Sequence, residues 1–316
     1  MKSYLNQIQA KPKMKKIYWN FLKSTLGILL LVILFNKLGF SNVYKILIDT
    51  SITHVFLAVL ISISSILLGA FNLKILLHFI KAKISFSDLL KVYSLSWSIG
   101  LFLPGRIGDF SIIPLLEKKG LDFGKGAAIS FLDKLITFVV LSILTIFAVF
   151  IYLPIEQAWI ILIVITFVAI LTILFFITNK GRKFIRSLFP KNLIEKFSGF
   201  SYILFDFLKY GKMYIFLNFL ITIFKQVVLA LIIYAFLASF NIYLSFIEIL
   251  LIISAITIIS LIPVSVSGLG IKESAAVFLF GLAGLDKIIV AAIFTLLLIA
   301  RYVIGALLIY FIKLEN

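Results

Sequence analysis

The chain has 316 residues, 63% of them hydrophobic and only 14% charged, with a mean hydropathy of +1.20. A soluble domain is roughly half apolar and a quarter charged, so this composition excludes a water-soluble globule and defines an integral membrane protein. The formal net charge of +17 does not point to nucleic acid, because the cations lie mostly between the apolar runs, where they report topology and contact with anionic lipid.

The absence of cysteine excludes disulfides, thiolate catalysis and cysteine metal sites. The first residues, "MKSYLNQIQAKPKMKKIYW", are basic, and no small-residue cleavage site follows the first apolar run. Residues 1–16 therefore read as a cytoplasmic tail before a first span, not as a cleaved signal. Crossing a hydrocarbon core takes about 20 apolar residues. Runs at 17–35, 52–80, 126–152, 157–178, 213–239 and 287–312 predict about six full spans. Two further apolar regions, 86–116 and 245–284, are interrupted near the middle, the first at "LPGRIGDF" and the second at "LIPVSVSGLGIKES".

Charge sets the expected orientation. The loop 178–212 carries eight Lys and Arg against Glu195 and Asp206, which places it in the cytoplasm between the two halves of one transmembrane domain, 1–316. The loops 153–156 and 240–243 carry no Lys or Arg and suit the outside. Lys81, Lys83 and Lys91 precede the first broken region and Lys118, Lys119 and Lys125 follow it. A segment with both flanks on one side is a re-entrant hairpin. With both termini cytoplasmic, the second broken region enters and leaves from the opposite face. The expected fold is all-α and polytopic, with two re-entrant broken-helix hairpins arranged as an inverted repeat in the cell (plasma) membrane. "GLDFGKGAAI" at 120–129 and "GLDKIIVAAI" at 284–293 match at six positions after the two breaks, as two halves of one plan would.

Irregular backbone at membrane depth is tolerated only where protein or a water-filled cavity satisfies it. Two readings of the breaks stand: kinks between packed helices, or a site. The charges at both breaks favour the site. Half-helices starting near Gly108 and Gly270 would aim free N–H groups into the membrane. Arg106 and Asp109 sit at the first break, Lys272 and Glu273 at the second, and Arg301 lies deep in the last span. Arg106 offers a planar fork to a phosphate. Arg301 either pairs with Glu273 or Asp109, or touches ligand. Lys134, beside Asp133, and Lys225, beside Gln226, are secondary candidates. The serines flanking the breaks are expected to bond their own backbone. His54 and His78 are isolated, and no metal or cofactor motif is present.

The two breaks carry a resemblance. "LPGRIGDF" resembles the Pro-x-Arg-x-Gly-Glu element of the lysylphosphatidylglycerol synthase transmembrane family, the flippase-like membrane domain also called uncharacterised protein family 0104. "IPVSVSGLGIKES" resembles that family's second element, a turn running into Gly-Leu-Gly-x-x-Glu. The resemblance covers roughly 17–312 and implies functional weight for Pro104, Arg106, Gly108, Asp109, Pro263, Gly268, Gly270, Glu273 and Arg301. Asp109 stands where Glu is usual, Val264–Ser267 lacks a second Pro, and Asp133–Lys134 replaces an acidic–Arg pair. Well-known relatives carry a soluble aminoacyl-transferase domain for which this chain has no room, so their synthase activity is not implied. The expected role is a flippase-like transporter, not an enzyme. It would move an anionic or zwitterionic phospholipid, or a lipid-linked saccharide, between leaflets. The alternatives are a membrane-embedded lipid-modifying transferase and a non-transporting partner of a separate glycosyl- or aminoacyl-transferase.

Overall fold

The computed structural model describes residues 12–49, 51–103, 106–177, 195, 197–261 and 265–314. Pro104, Pro263, the Arg106 side chain, residues 1–11 of the tail and 178–194 of the basic loop lie outside the described residues. The first half holds α1 (Pro12–Leu38), α2 (Phe40–Ile48), α3 (Ile52–Phe79), α4 (Phe86–Phe102), a 3-10 turn (Arg106–Ser111), α5 (Ile112–Glu117) and α6 (Phe123–Tyr152). Then come α7 (Ile155–Ile177), α8 (Phe200–Tyr210), α9 (Lys212–Ser239), α10 (Phe246–Ile259), α11 (Ile271–Leu282) and α12 (Lys287–Leu314).

Four of these, Ile52–Phe79, Phe123–Tyr152, Lys212–Ala238 and Lys287–Ile312, are long and apolar enough to cross a membrane. A fifth is reached if Thr25–Leu38 and Phe40–Ile48, bent by 92°, count as one broken span. The bend falls at Gly39, whose φ of 80° turns the chain in a conformation most residues avoid. α7, 23 residues long, overlies the expected run at 157–178.

The first broken region forms a hairpin. Its feet meet: Lys119 Nζ lies 2.7 Å from Asp88 Oδ1. That ammonium, with the Ser85 hydroxyl, holds the exposed Asp88 carboxyl below the usual carboxylate range. An exposed pair of this kind adds little stability, but it records that the chain returns to the end it left. At the tip, one expectation changes. No α-helix starts near Gly108. Gly108 lies inside the 3-10 turn, and α5 begins at Ile112. Pro114 has no N–H to give to a helix begun four residues earlier, but sits without cost in the first turn of α5. The turn is also pressed against α4. A Cβ on Gly108 would lie 2.3 Å from Gly100 Cα, and Ser111 Oγ is 2.9 Å from Ser96 Oγ.

The second hairpin is α10, an irregular corner and α11, which pack on each other. Ser267, Gly268 and Gly270 have φ of 50°, 76° and 75°, so three of four successive residues are left-handed. This lets the corner double back. Its tip leans on α1, where a Cβ on Gly270 would lie 2.4 Å from the Gly27 carbonyl oxygen.

Among the described residues, the segments from α3 to α6 and from α9 to α12 follow one element order with the same punctuation. The turn after α3 passes through Lys81 (φ 55°) and the turn after α9 through Asn241 (φ 56°). In each, the next N–H reaches back five residues: Ala82 to Leu77 O at 3.1 Å, Ile242 to Leu237 O at 3.0 Å. α4 and α10 start on serine caps, Ser85 accepting from the Asp88 N–H at 3.0 Å and Ser245 from the Glu248 N–H at 3.2 Å. The turns into α6 and α12 use Gly120 (φ 84°) and Gly284 (φ 85°). The halves interleave: α3 packs on α9, α4 on α12, and α10 on α6. Each hairpin thus lies against the last helix of the other half.

Gly270→Ala is expected to lower stability by about 2–3 kcal/mol, from the left-handed φ and the clash with α1 together. Gly120→Ala, with open space around it, is expected to cost only about 1 kcal/mol. Thermal unfolding in detergent measures both, and equal losses would rule out the α1 contact.

Candidate functional site

A cavity of about 410 Å³ lies among α3, α4, α6, α9, α10, α11 and α12, within the size range of small-molecule sites. It is lined where the two hairpins meet the long helices. α4 and its turn contribute Tyr93, Trp97 and Asp109, α6 contributes Asp133 and Lys134, and α9 contributes Thr222, Lys225 and Gln226. Lys272 and Glu273 enter from the second hairpin and Arg301 from α12.

One wall is a hydrogen-bonded cluster at the seam of α3, α6 and α9. Asp133 is 6% exposed. Its Oδ1 accepts from Asn72 Nδ2 at 3.2 Å and Asn218 Nδ2 at 3.3 Å. Asn72 Nδ2 also donates to Thr222 Oγ1 at 3.0 Å, and Asn218 Nδ2 to the Asn72 carbonyl at 3.2 Å. Lys134 Nζ lies 3.2 Å from Asp133 Oδ2. Adjacent residues on a helix face different ways, but the long lysine stem carries its ammonium back to the neighbouring carboxylate. A buried carboxylate needs such a shell, because an unpaired charge in a low-dielectric interior is costly.

The opposite wall is built on the second hairpin. Glu273 is 2% exposed, and its Oε2 accepts the Gly270 N–H at 2.7 Å. The carboxylate therefore caps the start of α11 and meets the positive end of that helix. Nearby, Tyr302 Oη donates to the Leu101 carbonyl at 3.1 Å, tying α12 to the end of α4 beside Arg301. Among the described residues no group of three His, Cys, Asp or Glu is placed to hold a metal.

Of the residues singled out in the sequence, Asp109, Lys134, Lys225, Glu273 and Arg301 line this one cavity. The glycines stand behind it. Gly108, Gly268 and Gly270 are buried and shape the two corners by close packing and left-handed φ. Of the flanking serines, Ser98 bonds the Ser94 carbonyl at 2.8 Å within its own helix, while Ser96 reaches across to Ser111. Sequence reasoning missed Asn72, Asn218 and Thr222. The signal was available: Asn218, Thr222, Lys225 and Gln226 recur at helical spacing on one face of α9. Ser62, Ser65, Gly69 and Asn72 do so on α3. A polar stripe inside an apolar span is the pattern of a helix that faces a cavity.

These features define a polytopic α-helical membrane protein whose bundle encloses a charged cavity. The chain belongs to the Lysylphosphatidylglycerol synthase TM region family, which it matches over residues 20–309. No curated protein matches the chain.

Asp133→Ala removes the shared partner of Lys134, Asn72 and Asn218. It is expected to destabilise the fold by about 3 kcal/mol, whereas Asn218→Ala, which leaves Asp133 with two partners, is expected to cost about 1 kcal/mol. Unfolding midpoints of the purified variants test the order.

Proposed function

We propose that the protein is a flippase-like transporter that moves a phospholipid or lipid-linked headgroup between the leaflets of the plasma membrane. The observation that carries this reading is the cavity: among the described residues, seven charged side chains face it from inside a bundle of apolar helices. An ionisable group at membrane depth costs roughly 2.5–3.5 kcal/mol on insertion scales, so such groups gather where a polar cargo or water keeps them company. A headgroup would cross through this cavity while its acyl chains stay in lipid. In this reading the two repeated units are inverted with respect to one another, with about six spans, two re-entrant hairpins and both termini cytoplasmic. The interleaved packing and the repeated punctuation support an exchange in which one hairpin loosens from its partner helix as the other tightens.

The transferase alternative needs a free carboxylate base. Glu273 suits that role poorly, because its carboxylate is engaged with the Gly270 N–H. A separate transferase remains a natural partner, supplying or consuming the lipid that is moved.

Reconstitution into liposomes with fluorescent lipids of several headgroup classes tests the proposal. The protein is expected to accelerate leaflet exchange of at least one class, and Arg301→Ala to slow it about tenfold or more, a loss of transition-state stabilisation of ~1.4 kcal/mol. Exchange no faster than in protein-free liposomes, for every class, would sink the reading.

A further inference from the structure

We propose that the cavity selects anionic over zwitterionic headgroups and that the Lys225 ammonium holds the headgroup phosphate; this rests on the lipid-transport reading above. Among the described residues, the cavity is lined by four cations, Lys134, Lys225, Lys272 and Arg301, and three carboxylates, Asp109, Asp133 and Glu273. Two of the carboxylates are committed within the protein. Asp133 is ringed by Asn72, Asn218 and Lys134, and Glu273 caps α11. Lys134 is correspondingly tied to Asp133, and Asp109, Lys272 and Arg301 interact with other groups of the protein.

Lys225 differs from the other three cations. It is half-buried on α9 and faces the cavity, yet it makes no hydrogen bond or ion pair with any described residue. Thr222 and Gln226, beside it on α9, are 1% and 4% exposed, so the ammonium stands next to a buried part of the wall. A charge in that position is stabilised by a counter-charge from the cavity itself. A lysine ammonium is a compact point charge that binds phosphate without demanding a fixed geometry.

Net charge also separates the headgroup classes. An occupant with a net negative charge neutralises the excess cation. A zwitterion brings its own ammonium into an enclosure that already holds more positive than negative charge, and leaves the excess in place. The chemistry recognised is a phosphodiester anion, as in phosphatidylglycerol.

The test uses the purified protein in uncharged detergent, titrated with dioctanoyl phosphatidylglycerol, dioctanoyl phosphatidylcholine or glycerol phosphate, with Tm as the readout. Phosphatidylglycerol is expected to bind at least about tenfold tighter than phosphatidylcholine. The preference should persist at ~1 M NaCl, where screening acts beyond about 3 Å and removes binding to surface lysines. Lys225→Gln should bring phosphatidylglycerol down to the phosphatidylcholine level, Lys225→Arg should keep the preference, and Lys209→Gln on the exposed face of α8 should leave it unchanged. Equal binding of the two lipids by the unaltered protein overturns the proposal whatever the variants do. Full preference retained in Lys225→Gln overturns the assignment to Lys225. Glycerol phosphate binding as tightly as phosphatidylglycerol would show a site for free phosphate compounds and overturn the lipid assignment. Selectivity without leaflet exchange in liposomes would remove the transport reading and leave this one standing.

Discussion

Hydrocarbon offers no partner to a backbone N–H, a carbonyl or a charge, and the described departures from plain helix at the two hairpin tips are arranged around that fact. The first hairpin tip is a 3-10 turn that keeps hydrogen bonds at short range and lies on α4 at Gly100. The second tip closes onto α1 at Gly27, and its first free N–H is met by Glu273. The carboxylate of Asp133 is met by two amides and an ammonium from three helices. The cavity lies between these contacts, and Asp133 and Glu273, two of the groups that make them, stand in its wall.

The interleaving of the halves follows from the same constraint. A hairpin of short helices exposes too much backbone at its tip to stand alone in lipid. Each hairpin is instead laid against a long helix of the other half, α4 on α12 and α10 on α6. Phenol hydroxyls pin both arrangements: Tyr302 donates to the Leu101 carbonyl at the end of α4, and Tyr152 at the end of α6 donates to Glu248 Oε1 at 2.9 Å at the foot of α10. The glycines at these contacts act through absence of bulk. Gly305 on α12 would carry a Cβ 2.5 Å from Leu101 Cδ1. Close approach of this kind gives the apolar helices dispersion contacts to hold them, since lipid supplies no hydrophobic drive to associate.

Much of the plan was legible. Hydropathy places α3, α6, α9 and α12 within a few residues of their observed bounds, because a long apolar run in lipid has few folds open to it. The lysines on both flanks of 86–116 anticipate the hairpin that Lys119 and Asp88 close. Charges in apolar runs led to Asp109, Glu273, Arg301, Lys134 and Lys225, and these meet at one cavity. What stayed hidden was set by tertiary contact. Nothing local marks Asn72 and Asn218 as partners of Asp133, since the three lie on different helices and only their packing brings them together. The 3-10 geometry at Gly108 depends on Pro114 and on the approach to Gly100, neither of which a hydropathy reading weighs. The second repeat signal, "SFSDLL" at 85–90 against "SFIEIL" at 245–250, was present but too short to stand out until the serine caps were seen in place.

Aligning the halves on Gly120 and Gly284 pairs Asp109 with Glu273, so an acid stands at each break, and both reach the cavity. The same alignment pairs Asp133 and Lys134 with Leu297 and Leu298, and Arg301 with Thr137. Scaffold and corner acids are therefore shared between the halves, while the remaining charges are not. One half supplies the buried carboxylate, ringed by amides from both halves, and the other a deep arginine. In the proposed transport cycle, halves alike in backbone would exchange roles between two arrangements. Lys225, without a partner among the described residues, lies on α9, the helix that packs on α3, so its charge is presented to the cavity from the seam between the halves.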